Sequence, residues 1–103
     1  MHQAIKLLKK IPRGKVATYK ELARACRTSP RAVGRIMAHN GDPKNYPCYK
    51  VIASSGALAG YSASGGITQK RKLLLANGVT LTRGRVGKKH FHRFSRRDCI
   101  STA

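Results

Sequence analysis

Two helix-start signals eleven residues apart, Thr18-Tyr-Lys-Glu21 and Ser29-Pro30-Arg31, confine this chain more than any other feature of it. Thr18 stands three residues before Glu21, a capping box in which hydroxyl and carboxylate satisfy otherwise unpaired helix-start amides. The helix it opens runs to about Cys26 and buries Leu22, Ala23 and Cys26. Arg27 to Pro30 is then a short turn, with Ser29 as N-cap and Pro30 at the first helical position. A second helix follows from Arg31 to about His39, with Ala32, Val33, Ile36 and Met37 available for burial. Two short helices joined by a tight turn, the second beginning with arginine, read as a helix-turn-helix.

The flanks fit one small domain. Residues 2–10 carry Ala4, Ile5, Leu7 and Leu8 on the apolar face of a compact helix, which Ile11-Pro12-Arg13-Gly14 stops. The loop Asn40–Pro47 holds Gly41, Asp42 and two prolines, so ordered irregular structure is expected. Val51-Ile52 and Ala57-Leu58 flank Ser54-Ser55-Gly56 as a hairpin or wing. A last helix spans about Thr68 to Ala76, with Leu73, Leu74 and Leu75 inside and Gly78 as its stop. From Arg83 the chain is basic and lacks periodicity, and reads as a flexible arm. That arm is either a solvated tail or an electrostatic tether whose Phe91 and Phe94 stack or wedge against bases. The expected fold is mostly α with a small β wing, a winged helix-turn-helix-like domain over residues 1–82 followed by an arm over 83–103.

Charge narrows the partner. Lysine and arginine number 22 against three acidic residues, a net +19 that repels itself unless the partner is polyanionic. Nucleic acid comes first, since each neutralised phosphate releases a counterion. A membrane partner is disfavoured, because no apolar run approaches the roughly 20 residues that span a bilayer. No signal-peptide pattern opens the chain, so a cytoplasmic, nucleoid-associated monomer is expected. Cys26, Cys48 and Cys99 show no CxxC spacing, which argues against a zinc ribbon or a disulfide framework. The histidines, His2, His39, His90 and His92, show no metal-ligand spacing either, and neither metal nor cofactor is expected.

Pro47-Cys48-Tyr49-Lys50-Val51 is the segment with most chemical content. Cys48 follows a proline-bearing loop, and surrounding cations would favour its nucleophilic thiolate. Read locally, a small buried hydrophobe remains the competing role for a free cysteine.

Across residues 4–79 the segments IPRGKVATYKELARA, SPRAVGRIMAHN, YPCYKVI, SSGALAGYS and KRKLLLANGV resemble, in order and nearly in spacing, the C-terminal domain of O6-alkylguanine-DNA alkyltransferases and the alkyltransferase-like proteins. The resemblance implies that the helix-turn-helix enters the minor groove, with small Ala32 and Gly34 letting the recognition helix approach closely. It implies that Arg31 fills the gap left by a flipped nucleotide, that Tyr19 turns the target phosphate, and that Asn40 braces the active-site loop. It further implies that Cys48 accepts the alkyl group, that Pro47 and Lys50 belong to the lesion- and DNA-binding surface, and that the Val51 backbone and Ser62 read the guanine edge. Extrusion is required because a stacked base hides its O6 substituent, at a cost of a few kcal/mol.

Four departures from the family pattern bear on activity. The family's PCHRV histidine and arginine are Tyr49 and Lys50 here, and the glutamate partnering that histidine is Asn77. Both ends of the base relay are thus replaced, leaving Lys50, Tyr49 or the local positive potential to favour the thiolate. A tyrosine, which ordinarily titrates at about pH 10, is a poor base at neutral pH. YSASGG carries two residues more than YSGG, which makes Ser64 a rival of Ser62. The N-terminal domain of full-length alkyltransferases has no counterpart, as in alkyltransferase-like proteins, which lack the cysteine and bind the lesion without repairing it. The leading expectation is a suicidal methylated-DNA–protein-cysteine methyltransferase acting on duplex DNA with O6-alkylguanine. The alternatives are a non-enzymatic lesion sensor that recruits other repair factors and a general DNA binder.

Overall fold

The computed structural model describes residues 3–58 and 66–95. Over those residues the chain is mostly helical with small β elements, as the winged helix-turn-helix-like reading requires. Helix α1 (Gln3–Leu7) continues into a 3-10 turn (Leu8–Lys10), burying Ala4, Ile5, Leu7 and Leu8. Ile11 leaves that turn extended, at φ −78° and ψ 117°, as the crowding of a following proline demands.

Strand β1 (Ala17–Thr18) runs directly into α2 (Tyr19–Cys26). The Thr18 hydroxyl accepts from the Glu21 amide at 2.9 Å, the first half of the expected capping box. Glu21 directs its carboxylate elsewhere: it accepts from Arg24 at 2.9 and 2.6 Å and from the Phe94 amide at 2.7 Å. Arg27 ends α2 in the left-handed conformation, and α3 (Pro30–Ala38) starts at once. Ser29 is its N-cap, accepting from the Ala32 amide at 3.1 Å, with Pro30 in the first turn. Leu22 and Ala23 of α2 and Val33 and Met37 of α3 pack with α1 into one core cluster, while Cys26 is only half-buried.

The wing differs from its sequence reading. Ser54 and Ser55 do sit in a turn, closed by Gly56 N to Ala53 O at 2.9 Å and Ala53 N to Ala57 O at 3.0 Å. However, β2 (Val51–Ile52) pairs in parallel with β1, Ala17 opposite Val51 and Thr18 opposite Ile52. The two-stranded antiparallel hairpin lies further on, β3 (Leu81–Thr82) with β4 (Arg85–Val86). Val51 and Ile52 are both buried, so they suit a strand covered on both faces and not the half-exposed strand of an isolated hairpin.

Helix α4 (Gly66–Ala76) begins two residues earlier than expected and ends at Gly78, at φ 92°. Its three consecutive leucines are not all inside. Leu74 is fully buried, Leu73 is half-buried and Leu75 is 51% exposed. Successive helix positions lie about 100° apart, so three in a row cannot face one core. The inner face is instead Lys70, Leu74 and Asn77, at helical spacing.

The largest correction concerns the expected arm. Residues 83–95 fold back onto the domain: Val16 donates to His90 O at 2.8 Å, and His92 donates to Val16 O at 2.7 Å. Phe94 is 2% exposed in the first core cluster, and Phe91 packs on a second one formed by Val16, Ile52, Leu58, Leu74, Val79 and Val86. Phe94 is therefore not presented for stacking on a base. The segment shows no period because its partners are β1 and α2, some 70 residues away in sequence. Residues 96–103, the rest of the expected arm, lie outside the described residues.

Candidate functional site

The tight turn between α2 and α3 brings the start of each helix to one cleft of about 630 Å³. Tyr19 and Lys20 line it from α2, Pro30, Arg31 and Gly34 from α3, and Ala53 and Ser54 from the turn after β2. Three of the residues singled out by sequence, Tyr19, Arg31 and Gly34, therefore meet. Arg31 is exposed in the first turn of α3. A side chain at Gly34 would meet nothing within 4 Å, so this stretch of helix leaves its backbone open to a close partner. Ala32, half-buried, gives its amide to the Ser29 cap.

Tyr19 joins the cleft to the interior. It packs against the core cluster that contains Cys48, and burial followed by the charge of Cys48 raises its phenol pKa. The hydroxyl thus keeps its proton at neutral pH and can donate a hydrogen bond.

Cys48 opens a 3-10 turn (Cys48–Lys50) after Pro47 and is 7% exposed. Its amide donates to Tyr46 O at 2.8 Å, and the Asn40 side-chain amide donates to the same carbonyl, also at 2.8 Å. Asn40 Oδ1 in turn accepts from the Asp42 amide at 3.0 Å. One asparagine at the end of α3 therefore clamps both ends of the loop that delivers Cys48. On the other side, Val51 leads into β2, whose pairing with β1 holds Cys48 in register with the start of α2.

The residues beside Cys48 behave differently from their sequence reading. That reading makes Lys50 a DNA-contacting residue and a candidate activator of the thiol. Its ammonium is buried in this structure, donating to Ile11 O at 3.2 Å and Pro12 O at 3.5 Å. Burial, then the charge of Arg13, lowers its pKa. Tyr49 hydrogen-bonds Asn77, whose Oδ1 accepts from the Gly14 amide at 2.9 Å. Burial raises the Tyr49 pKa against the opposing effects of Arg13 and Asn77. A phenol so placed is no base at neutral pH. The Tyr49–Asn77 pair ties the 3-10 turn to the end of α4.

Lys70 is the functional candidate that sequence reading misses. It is 0% exposed, and its Nζ donates to Val51 O at 2.6 Å. Burial lowers its pKa to about 8, while the charge of Cys48 acts in the opposite direction. A lysine on the inner face of a leucine-rich helix, four residues before Leu74, is the signal that could have found it. Ser62 and its rival Ser64 lie outside the described residues. Among the described residues no three His, Cys, Asp or Glu side chains gather as a metal site, and no helix is long and apolar enough to cross a membrane.

Residues 1–79 match the family model described as the DNA-binding domain of 6-O-methylguanine DNA methyltransferase. The chain belongs to this methyltransferase family. Among curated relatives of the family, a bifunctional methyltransferase/endonuclease of Picrophilus torridus is 43% identical over 87 residues, which are 82% of this chain and 28% of the relative. A methylated-DNA–protein-cysteine methyltransferase of Pyrobaculum aerophilum is 48% identical over 69 residues, 67% of this chain and 45% of the relative. The chain thus spans less than half the length of either methyltransferase. Among solved structures, S. pombe Atl1 bound to damaged DNA containing O6-carboxymethylguanine superimposes with a TM-score of 0.75 at 26% identity, covering 88% of this chain and 92% of that one.

Proposed function

We propose that this methyltransferase-family chain docks duplex DNA at the Tyr19–Arg31 cleft, flips O6-alkylguanine out of the helix and transfers the alkyl group to Cys48. The observation that carries the reading is the clamped Cys48, next to a cleft-lining tyrosine and in electrostatic contact with the buried Lys70 ammonium. Arg31 fills the vacated stack, where an inserted side chain offsets part of the unstacking cost. Tyr19, held as a neutral phenol, donates to the turned phosphate. The Cys48 thiol gives up its proton to water, which later supplies the proton the guanine takes up; the thiolate sulfur attacks the alkyl carbon in line, and the carbon–O6 bond breaks. The electron pair leaves with the guanine, which takes up a proton, and the S-alkyl cysteine remains. The acceptor is consumed, so turnover is single. With Tyr49 neutral and committed to Asn77, Lys70 is the cation that supports the thiolate. The test is intact-protein mass after incubation with a duplex carrying O6-methylguanine. A gain of one methyl group, mapped to Cys48, is expected; an unmodified protein that still binds the lesion would overturn transfer.

A second reading has its own support. The Tyr49–Asn77 pair stands where the family resemblance implies a histidine–glutamate relay, and Atl1, which matches over nearly its whole length, was solved with damaged DNA. On that reading the domain is a lesion sensor that recruits other repair factors. Cys48→Ala would then leave both lesion affinity and repair in cell extract unchanged, whereas loss of repair alone excludes it.

A further inference from the structure

The β3–β4 hairpin is the part of the molecule that the proposed function leaves without a role. Its two central residues, Arg83 and Gly84, have φ of 54° and 77°, the positive values that a type I′ turn requires. Asparagine or glycine is the usual choice at the first of these positions, so an arginine is retained there against a local conformational cost. Val86 is buried in the second cluster, so Arg85, its neighbour on the strand, points outward. Arg83 and Arg85 are both exposed. The described carboxylates are engaged elsewhere, Glu21 by Arg24 and Phe94, Asp42 by Asn45.

The hairpin is also fastened to the cleft. Ala57 bridges Arg85, and Val86 N donates to Gly56 O at 2.9 Å. Gly56 has φ 89°, and a Cβ there would stand 2.5 Å from Val86 O, so the contact admits only glycine. Ser54, three residues before Ala57, lines the cleft itself. Three residues of chain and one strand spacing separate Arg85 from Ser54, a span of at most roughly 15 Å. Phosphates recur about every 3.4 Å of helix axis on each strand, so that span covers about four base pairs.

We propose that the β3–β4 hairpin is a second DNA-contacting wing, whose Arg83 and Arg85 grip backbone phosphates within about four base pairs of the cleft. This rests on the DNA-binding part of the function proposed above and not on lesion recognition or alkyl transfer. The arginines are held outward on a frame that is already ordered, so little conformational freedom is lost when phosphates engage them. Their contribution is independent of base sequence and of damage.

The experiment uses an undamaged duplex, so that failure of lesion recognition does not affect it. Arg83→Asn removes one charge while installing the Asn-Gly pair that a type I′ turn favours, and the hairpin should melt no earlier than before. The expected result is a salt slope of log K flatter by about 0.9, with Lys6→Gln, an exposed position of the otherwise buried α1, as an equal-charge control that leaves the slope unchanged. Adding Arg85→Gln should double the change and shorten the hydroxyl-radical footprint on one side. Equal effects of Arg83→Asn and Lys6→Gln, or an unchanged slope and footprint, would overturn the proposal. Selective loss of binding to an acidic protein instead of DNA would overturn it too.

Discussion

The two core clusters are built in different ways. The first joins α1, α2 and α3, elements close in sequence with their own stop and cap signals. The second is assembled from single residues of β2, α4, β3 and β4, with Val16 just before β1 and Phe91 of the returning C-terminal segment, none of which is stable alone. The Cys48–Ile52 stretch runs between them: Cys48 and Val51 belong to the first cluster, Ile52 and Tyr49 to the second. The Tyr19–Arg31 side of the cleft thus stands on the cluster of α1, α2 and α3, and the surroundings of the cysteine draw on both clusters. Of the departures from the family pattern within the described residues, Tyr49 packs on that second cluster, whereas Lys50 donates to Ile11 O of the first.

If this division holds, substitutions on the two sides separate binding from chemistry. The largest effect is expected from Cys48→Ala, which abolishes alkyl transfer while leaving lesion affinity within about two-fold, as read by intact mass and by competition binding. Lys70→Met should slow transfer by about 100-fold, the scale on which one buried electrostatic partner of a reacting charge acts. Single-turnover rates with unchanged lesion affinity would confirm it, and an equal loss of both would place Lys70 in folding alone. Phe94→Ala should cost about 3–5 kcal/mol of stability by leaving a cavity among Leu22, Val33 and their neighbours, measured by urea unfolding. A cost near zero would restore the flexible-arm description. Tyr49→Phe, which removes the hydroxyl bound by Asn77, should cost about 1 kcal/mol.

The last test is a pH dependence. Lys70 titrates near pH 8 in the folded chain against an ordinary 10.5, so between those values the unfolded chain holds a proton that the native one has lost. Native stability should therefore rise with pH over that window, and the rise should be missing in Lys70→Met when unfolding is followed at pH 7 and pH 9.5. A parallel change in both proteins would mean that Lys70 is not responsible.

Legibility in the sequence follows the same division. Thr18, Ser29-Pro30 and Pro12 act on their immediate neighbours, so the ends of α1, α2 and α3 can be read from local chemistry. Asn40 is identified by resemblance, and its clamp on Tyr46 O has a simple local geometry. Lys70 and Lys50 are different, because nothing local distinguishes a lysine that donates to a buried carbonyl from one in solvent. The roles of Glu21 and Phe94 are equally hidden, since a capping carboxylate and an aromatic residue more than 70 positions away have no shared periodicity.

By itself the sequence determined the helix-turn-helix, the family, the strong positive charge and the position of the cysteine, because each rests on short-range signals, summed charge or an ordered set of motifs. Only the tertiary structure decided which lysine stands by Cys48, what Tyr49 bonds, and that the basic C-terminal segment is part of the domain through residue 95. Those outcomes depend on where distant backbone carbonyls and apolar surfaces converge, and burial of this kind is a property of the packed chain and not of any one stretch of it.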